Sequence, residues 1–193
     1  MSKSSDWALK EQEKNEMKDE WDGIELAELD YFREKAMMDI LSHYEILLAN
    51  QLNSCVGSRE KLEGVAMHHL EFHATIWRAS TETLPNLEVQ VVIDGKNNCF
   101  VSTGSPGFVD FFEPPVGMTL PIRCWIHTHP FGAAYFSGTD IRTVSFWEQN
   151  MECAYVLGGD GHYGFWQNSF SPKALEIYMN HEPVKLQTWG EEE

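Results

Sequence analysis

The sequence predicts an α+β or α/β protein in which one mixed β-sheet is flanked by helices. A long helical pattern comes first, several short strand patterns follow it, and further helical patterns lie among and after the strands. Hydrophobic residues make up 42% of the 193 residues and aromatic residues 12%, which is typical of a chain that buries a core. Strands with helices before and after them pack as layers around one sheet, and this length suits one catalytic domain with an appendage.

The N-terminal part of the chain predicts a helical extension. Residues 1–21 are dominated by charge and are expected to form a solvated helix or a disordered leader. An amphipathic helix is predicted over residues 22–52, because its apolar residues recur at three- and four-residue spacing: Leu29, Phe32, Ala36, Met37, Ile40, Leu41, Tyr44, Leu47 and Leu48. We expect this stripe to pack on the catalytic domain, or to contact a second copy or a partner. The extension is assigned to residues 1–58 and the catalytic domain to residues 59–193.

Short segments of alternating apolar residues predict the strands of the sheet. A short helical segment is expected at 59–67, and the strands at 70–76, 87–93, 99–102, 108–112, 122–127, 153–157 and 163–166. Asp94-Gly95 is a hairpin turn signal, and Pro130 is expected to end the strand before it. Helices are predicted after Asp140 and from Pro172.

Charge and hydropathy exclude several functional classes. The formal net charge is −16, with 14 acidic and 7 basic residues in 1–60 and 16 and 7 in 61–193, so no basic face is offered to nucleic acid or to an anionic membrane. This balance would suit a partner with basic patches, or would serve solubility alone. No apolar run is long enough to span a membrane and no signal peptide is evident, so we expect a soluble, cytoplasmic protein with four reduced cysteines.

The segment Cys124–Asp140 contains a candidate metal site. His127 and His129 lie two apart on a predicted strand, so their side chains share a face, and Asp140 adds a carboxylate. Three protein ligands are what a catalytic zinc ion usually requires. Ser137 and Asp140 also have the form of a capping box at the start of a helix.

The five positions His-x-His-Pro, six residues, Ser, two residues, Asp resemble the motif of the JAMM or MPN+ metalloisopeptidase family. The resemblance covers residues 60–170 and implies a cytidine-deaminase-like core with one zinc ion per chain, bound by His127, His129 and Asp140. It also implies that Ser137 donates a hydrogen bond to the oxyanion. The implied activity is hydrolysis of the bond between ubiquitin, or a ubiquitin-like modifier, and a lysine side chain. The short C-terminal part favours a compact, prokaryote-like member of the family.

The family also uses a glutamate as general base, on an earlier strand that follows a helix, and two residues qualify. We favour Glu71, because a helical segment directly precedes it and it leaves room for the intervening strands. Glu88 stays open, although its place in an alternating strand predicts an exposed, charged position. His68, His69 and His73 near Glu71 are expected to be surface or supporting residues rather than a second metal site.

Two other functions were compared with the isopeptidase. A non-catalytic MPN-type scaffold remains the alternative, in which the N-terminal helix is the functional part. A zinc deaminase is strongly disfavoured, because the His-x-Glu and Pro-Cys-x-x-Cys elements of that class are absent from the sequence.

Overall fold

The computed structural model describes residues 26–54, 66–84, 86–104, 111–159, 161–168 and 184–185. Within these ranges, three α-helices and six strands carry the fold. The helices are α1 Leu26–Ser54, α2 Leu70–Arg78 and α3 Gly138–Trp147, and the strands are β1 Val89–Asp94, β2 Cys99–Thr103, β3 Ile122–His129, β4 Met151–Gly158, β5 His162–Gln167 and β6 Val184–Lys185.

The strands form one mixed sheet in the order β2-β1-β3-β4-β5-β6. Strands β3 and β4 are parallel and are connected through α3, whereas every other neighbouring pair is antiparallel. The α+β class with a mixed sheet is therefore confirmed. Strand β3 lies between β1 and β4, so the side chains of its last residues are flanked by a strand on each side.

Helix α1 packs on one face of the sheet. Ala36, Ile40 and Tyr44 are buried in a core shared with α2 and with apolar residues of β1, β3 and β4. The prediction that the apolar stripe packs on the rest of the chain is confirmed for these residues. The proposed domain boundary at residue 58 lies outside the described residues.

The predicted strand at 70–76 is wrong, because this segment is helix α2. His69 caps the helix by accepting a hydrogen bond from the backbone N–H of Glu71, and Glu71 lies in the first turn, where a negative charge is favoured. Phe72 and Ile76 are fully buried at helical spacing, whereas Leu70, which a core strand would bury, is 44% exposed. Alternation over so short a segment does not separate a strand from a helix.

The remaining sequence predictions fall into two groups. Strands β1, β2, β3, β4 and β5 and helix α3 lie where they were predicted, to within a few residues. The predicted helical start at 59–65, most of the predicted strand at 108–112 and the helix from Pro172 lie outside the described residues, and the two described residues of 108–112 are not in a strand. Cys99, Cys124 and Cys153 are free thiols. Among the described residues, no helix is long and apolar enough to cross a membrane.

Candidate metal centre

The last residues of β3 carry both histidines of the motif. Trp125, His127 and His129 alternate with residues that face the α1 side of the sheet, so the two imidazoles lie on one face, with ring centroids 5.0 Å apart. The side chain of His127 is fully buried, and that of His129 is 12% exposed. The site is therefore closed at His127 and open to solvent at His129.

The third ligand candidate comes from the N-terminus of α3. Ser137 caps this helix: its hydroxyl accepts from the backbone N–H of Asp140, and the Asp140 carboxylate accepts from the backbone N–H of Ser137 at 2.6 Å. The predicted capping box is confirmed. It fixes the Asp140 side chain at the positive end of the helix dipole, which favours an ionised carboxylate.

The three side chains converge on one point. Asp140 Oδ1 lies 3.0 Å from His127 Nε2, and Asp140 Oδ2 lies 3.4 Å from His129 Nε2. One ligand atom from each residue lies within 4.8 Å of the others. Two imidazole nitrogens and one carboxylate oxygen at this separation could hold a divalent metal ion.

The electrostatics keep His127 and Asp140 in the protonation states that bind a metal. Burial lowers the pKa of His127, although the Asp140 carboxylate acts in the opposite direction. Burial would raise the pKa of Asp140, but the imidazoles of His127 and His129 more than offset it and hold that pKa well below its usual range. A neutral imidazole and an ionised carboxylate are the forms that donate electron pairs to a metal.

A buried nitrogen without a well-directed partner supports the metal interpretation. Within the described part of the chain, neither ring nitrogen of His127 makes a well-directed hydrogen bond, even though Asp140 is close to Nε2. A buried polar atom without a hydrogen bond costs about 1–3 kcal/mol. A cation that His127 and Asp140 share would satisfy both groups at once.

Glu71 does not belong to this cluster. Its side chain is 73% exposed on α2, and its Oε2 lies 4.0 Å from Nδ1 of His69. The Glu71 carboxylate acts to raise the pKa of His43 of α1. It is not among the main groups that shift the pKa of His127 or His129. The structure therefore places the favoured base candidate on a solvent-exposed helix and not on a strand beside the site.

Glu88 lies beside the cluster instead. Gln90 pairs with His127 across β1 and β3, and two further steps along this antiparallel register place Glu88 opposite His129. Burial is the largest influence on His129 and lowers its pKa, yet the carboxylates of Asp140 and Glu88 and the Ala133 carbonyl make the net shift upward. Glu88 is only 5% exposed, so the prediction of an exposed position is wrong. The apolar run Val91–Ile93 in the strand that follows it was the available signal, because a short continuous apolar run is typical of a fully buried strand, and every residue of β1 is buried.

Other polar residues near the candidate site residues have structural partners. The hydroxyl of Thr128 faces away from the metal face, where it donates to Ser80 and accepts from the backbone N–H of Val89. His68 bonds the Tyr155 hydroxyl, and His73 bonds the Met67 carbonyl. In the described ranges, the only cluster with metal-ligand geometry is His127, His129 and Asp140.

Close backbone contacts hold the loop between β3 and α3. The N–H of Gly159 donates to the Gly132 carbonyl at 2.8 Å, and a Cβ at Gly159 would lie 3.0 Å from the Pro130 carbonyl oxygen. A Cβ at Gly164 would lie 3.0 Å from the Ala134 carbonyl oxygen. A Cβ at either position would force the neighbouring carbonyl to shift by a few tenths of an ångström, so glycine favours these close approaches, which help to fix the loop that ends at Ser137.

Comparisons of the chain with protein-family models, with curated proteins and with solved structures found no significant match.

Proposed function

We propose that the protein is a zinc-dependent isopeptidase that hydrolyses the bond between ubiquitin, or a ubiquitin-like modifier, and a lysine side chain. The observation that carries the proposal is the convergence of His127, His129 and Asp140, in the spacing of the JAMM motif, with the buried Glu88 beside them. A cytidine-deaminase-like JAMM core is part of the same proposal. It is supported by a mixed sheet whose His-x-His strand lies between an antiparallel and a parallel neighbour.

Two histidines and one carboxylate form the ligand set of many catalytic zinc sites, with a further position left for water or substrate. Bound by these residues, zinc would supply Lewis acidity, which lowers the pKa of water and polarises the scissile carbonyl. The ligand set comes from a strand end and a capped helix start, both of which are fixed by backbone hydrogen bonds. Such rigid placement suits a site that must keep its geometry through each turnover.

Glu88, rather than Glu71, is proposed as the general base. Its carboxylate would accept a proton from the attacking water as the oxygen bonds to the carbonyl carbon, and then deliver that proton to the lysine nitrogen as the C–N bond breaks. The hydroxyl of Ser137 accepts a hydrogen bond from the backbone of Asp140, and its own proton can be donated to the oxyanion. The acidic chain would favour a modifier that presents basic patches.

The test combines metal analysis with a cleavage assay on the purified full chain. We expect about one zinc ion per chain and cleavage of at least one member of a panel of lysine-linked ubiquitin-like conjugates, abolished by a chelator. Asp140→Ala should lose both zinc and activity, whereas Ser137→Ala should keep zinc and lose about a hundredfold to a thousandfold in turnover. A chain that binds no zinc and cleaves none of the conjugates would instead support the non-catalytic MPN-type scaffold.

A further inference from the structure

We infer that Gln90 is a positioning residue of the metal centre: its amide fixes the indole of Trp125, and the indole fixes the imidazole plane of His127. The inference rests on the proposed metal centre. It adds residues that lie outside the His-x-His-Pro, Ser and Asp pattern and that never touch the metal themselves.

Gln90 connects three strands through both ends of its side chain. On β1 it is 9% exposed and faces the metal side of the sheet, directly opposite His127 of β3. Its Nε2 donates to the Ser102 hydroxyl of β2 at 2.8 Å, and its Oε1 accepts from the Trp125 indole N–H of β3 at 3.2 Å. A buried amide with both ends bonded has a fixed rotamer, because turning it would break both bonds.

Trp125 in turn covers one face of His127. The two rings are stacked, with centroids 4.3 Å apart and planes inclined by 16°, and both side chains are fully buried. Phe136 approaches the same imidazole at 6.3 Å with an angle of 66°. The plane of the imidazole, and therefore the direction of Nε2, is set by aromatic packing.

Packing adds to the weak hydrogen bonding of the His127 ring, on which the Asp140 carboxylate and the Tyr155 backbone carbonyl act. In the residues that the structure describes, neither ring nitrogen has a well-directed hydrogen bond. In many metal sites a carboxylate or carbonyl bonded to the second imidazole nitrogen orients the ligand. Here an indole stacked on the ring adds to its orientation, and Gln90 supplies the acceptor without which the indole N–H would be buried and unpaired.

The experiment measures metal binding rather than activity. Zinc affinity of the full chain is measured by competition with a chromophoric chelator, and the coordination geometry is followed by the visible absorption of bound Co²⁺. Gln90→Leu should weaken zinc binding by about tenfold to a hundredfold and should shift the Co²⁺ bands, as expected when an orienting partner is lost. Trp125→Phe removes the N–H that Gln90 binds. In the Trp125→Phe background, Gln90→Leu should therefore weaken zinc binding much less than it does in the wild type. The difference between the two losses of zinc affinity measures the coupling of Gln90 with Trp125.

Asn168→Leu is the matched control. Asn168 is another buried side-chain amide, which donates to the carbonyls of Glu148 and Met151 away from the metal ligands. Asn168→Leu should lower the melting temperature in the presence of chelator without changing zinc affinity. If Gln90→Leu does not fold, Gln90→Met replaces it. Unchanged zinc affinity in folded Gln90→Leu, or equal losses in both Trp125 backgrounds, would overturn the inference alone. A wild-type chain that binds neither zinc nor cobalt would overturn the metal centre and the inference together.

Discussion

Glu88→Gln separates general-base chemistry from metal binding. The glutamine keeps the size of the side chain and its capacity to accept hydrogen bonds, but it cannot take a proton from water. Because Glu88 is 5% exposed and lies opposite His129, no bulk water molecule or neighbouring surface carboxylate would replace it readily. General-base catalysis contributes about a hundredfold to ten-thousandfold, which corresponds to about 2.7–5.4 kcal/mol of transition-state stabilisation.

The expected result is a zinc-replete protein whose single-turnover rate on one conjugate has fallen by at least about a hundredfold. The removal of one negative charge beside His129 also weakens the attraction for a cation, so zinc affinity should fall, but the ion should remain stoichiometric at micromolar protein. Glu88→Asp restores the charge with a shorter reach. It should recover zinc affinity without recovering the rate.

Glu71→Gln is the matched control for the same chemical change. Glu71 is 73% exposed on α2 and is not among the groups that act on His127 or His129, so its rate should stay within about twofold of wild type. The reasoning is refuted if Glu71→Gln is the zinc-replete, inactive variant and Glu88→Gln turns over normally. That outcome would mean that α2 changes its position when substrate binds.

Three further predictions test the support of the site. Thr128→Val should lower the free energy of unfolding in urea by about 1–3 kcal/mol without loss of zinc, because it leaves a buried β1 N–H unpaired on the face away from the metal. Gly164→Ala should lower turnover by about tenfold in the cleavage assay, since its Cβ would push the Ala134 carbonyl, whereas Gly138→Ala meets nothing within 4 Å and should be neutral. Burial lowers the pKa of His73 from 6.5 to about 4, so this residue should cost the chelated protein about 3 kcal/mol of stability as pH falls through that window. His73→Phe should remove this part of the loss in denaturant titrations, whereas the part from His68, whose pKa burial also lowers to about 4, should remain.

The candidate metal ligands could be predicted from sequence because the information that places them is local. Residues that lie two apart on a strand share a face, whichever strands pair with it. Ser137 and Asp140 cap a helix through hydrogen bonds between residues three apart in the chain. The loop between His129 and Ser137 is only seven residues long. Strand end and helix start are therefore close in any fold that the segment adopts.

The base could not be assigned in the same way, because its position depends on which strands pair and in which register. Glu88 reaches His129 only through the antiparallel pairing of β1 with β3, which are separated by more than twenty residues. The sequence favours Glu71 because a helical segment precedes it and a strand is predicted at 70–76, but the fold uses that segment differently. Phe72 and Ile76 are buried as neighbours on a helix, which faces α1 through Tyr44. Tertiary packing decided the period of this segment, and with it the identity of the residue beside the metal ligands.

The place of the site in the sheet explains why its support is spread over so many elements. The carboxyl end of β3 meets the start of β1 on one side and the start of α3 on the other, because β1 is antiparallel to it and the crossover to the parallel β4 begins there. Chemical groups from three element ends therefore converge without any long insertion. Such a centre is only as exact as the strand pairing and the crossover loop that hold those ends, which is why Gln90 across the sheet and Gly164 beneath the loop matter as much as residues nearer the metal.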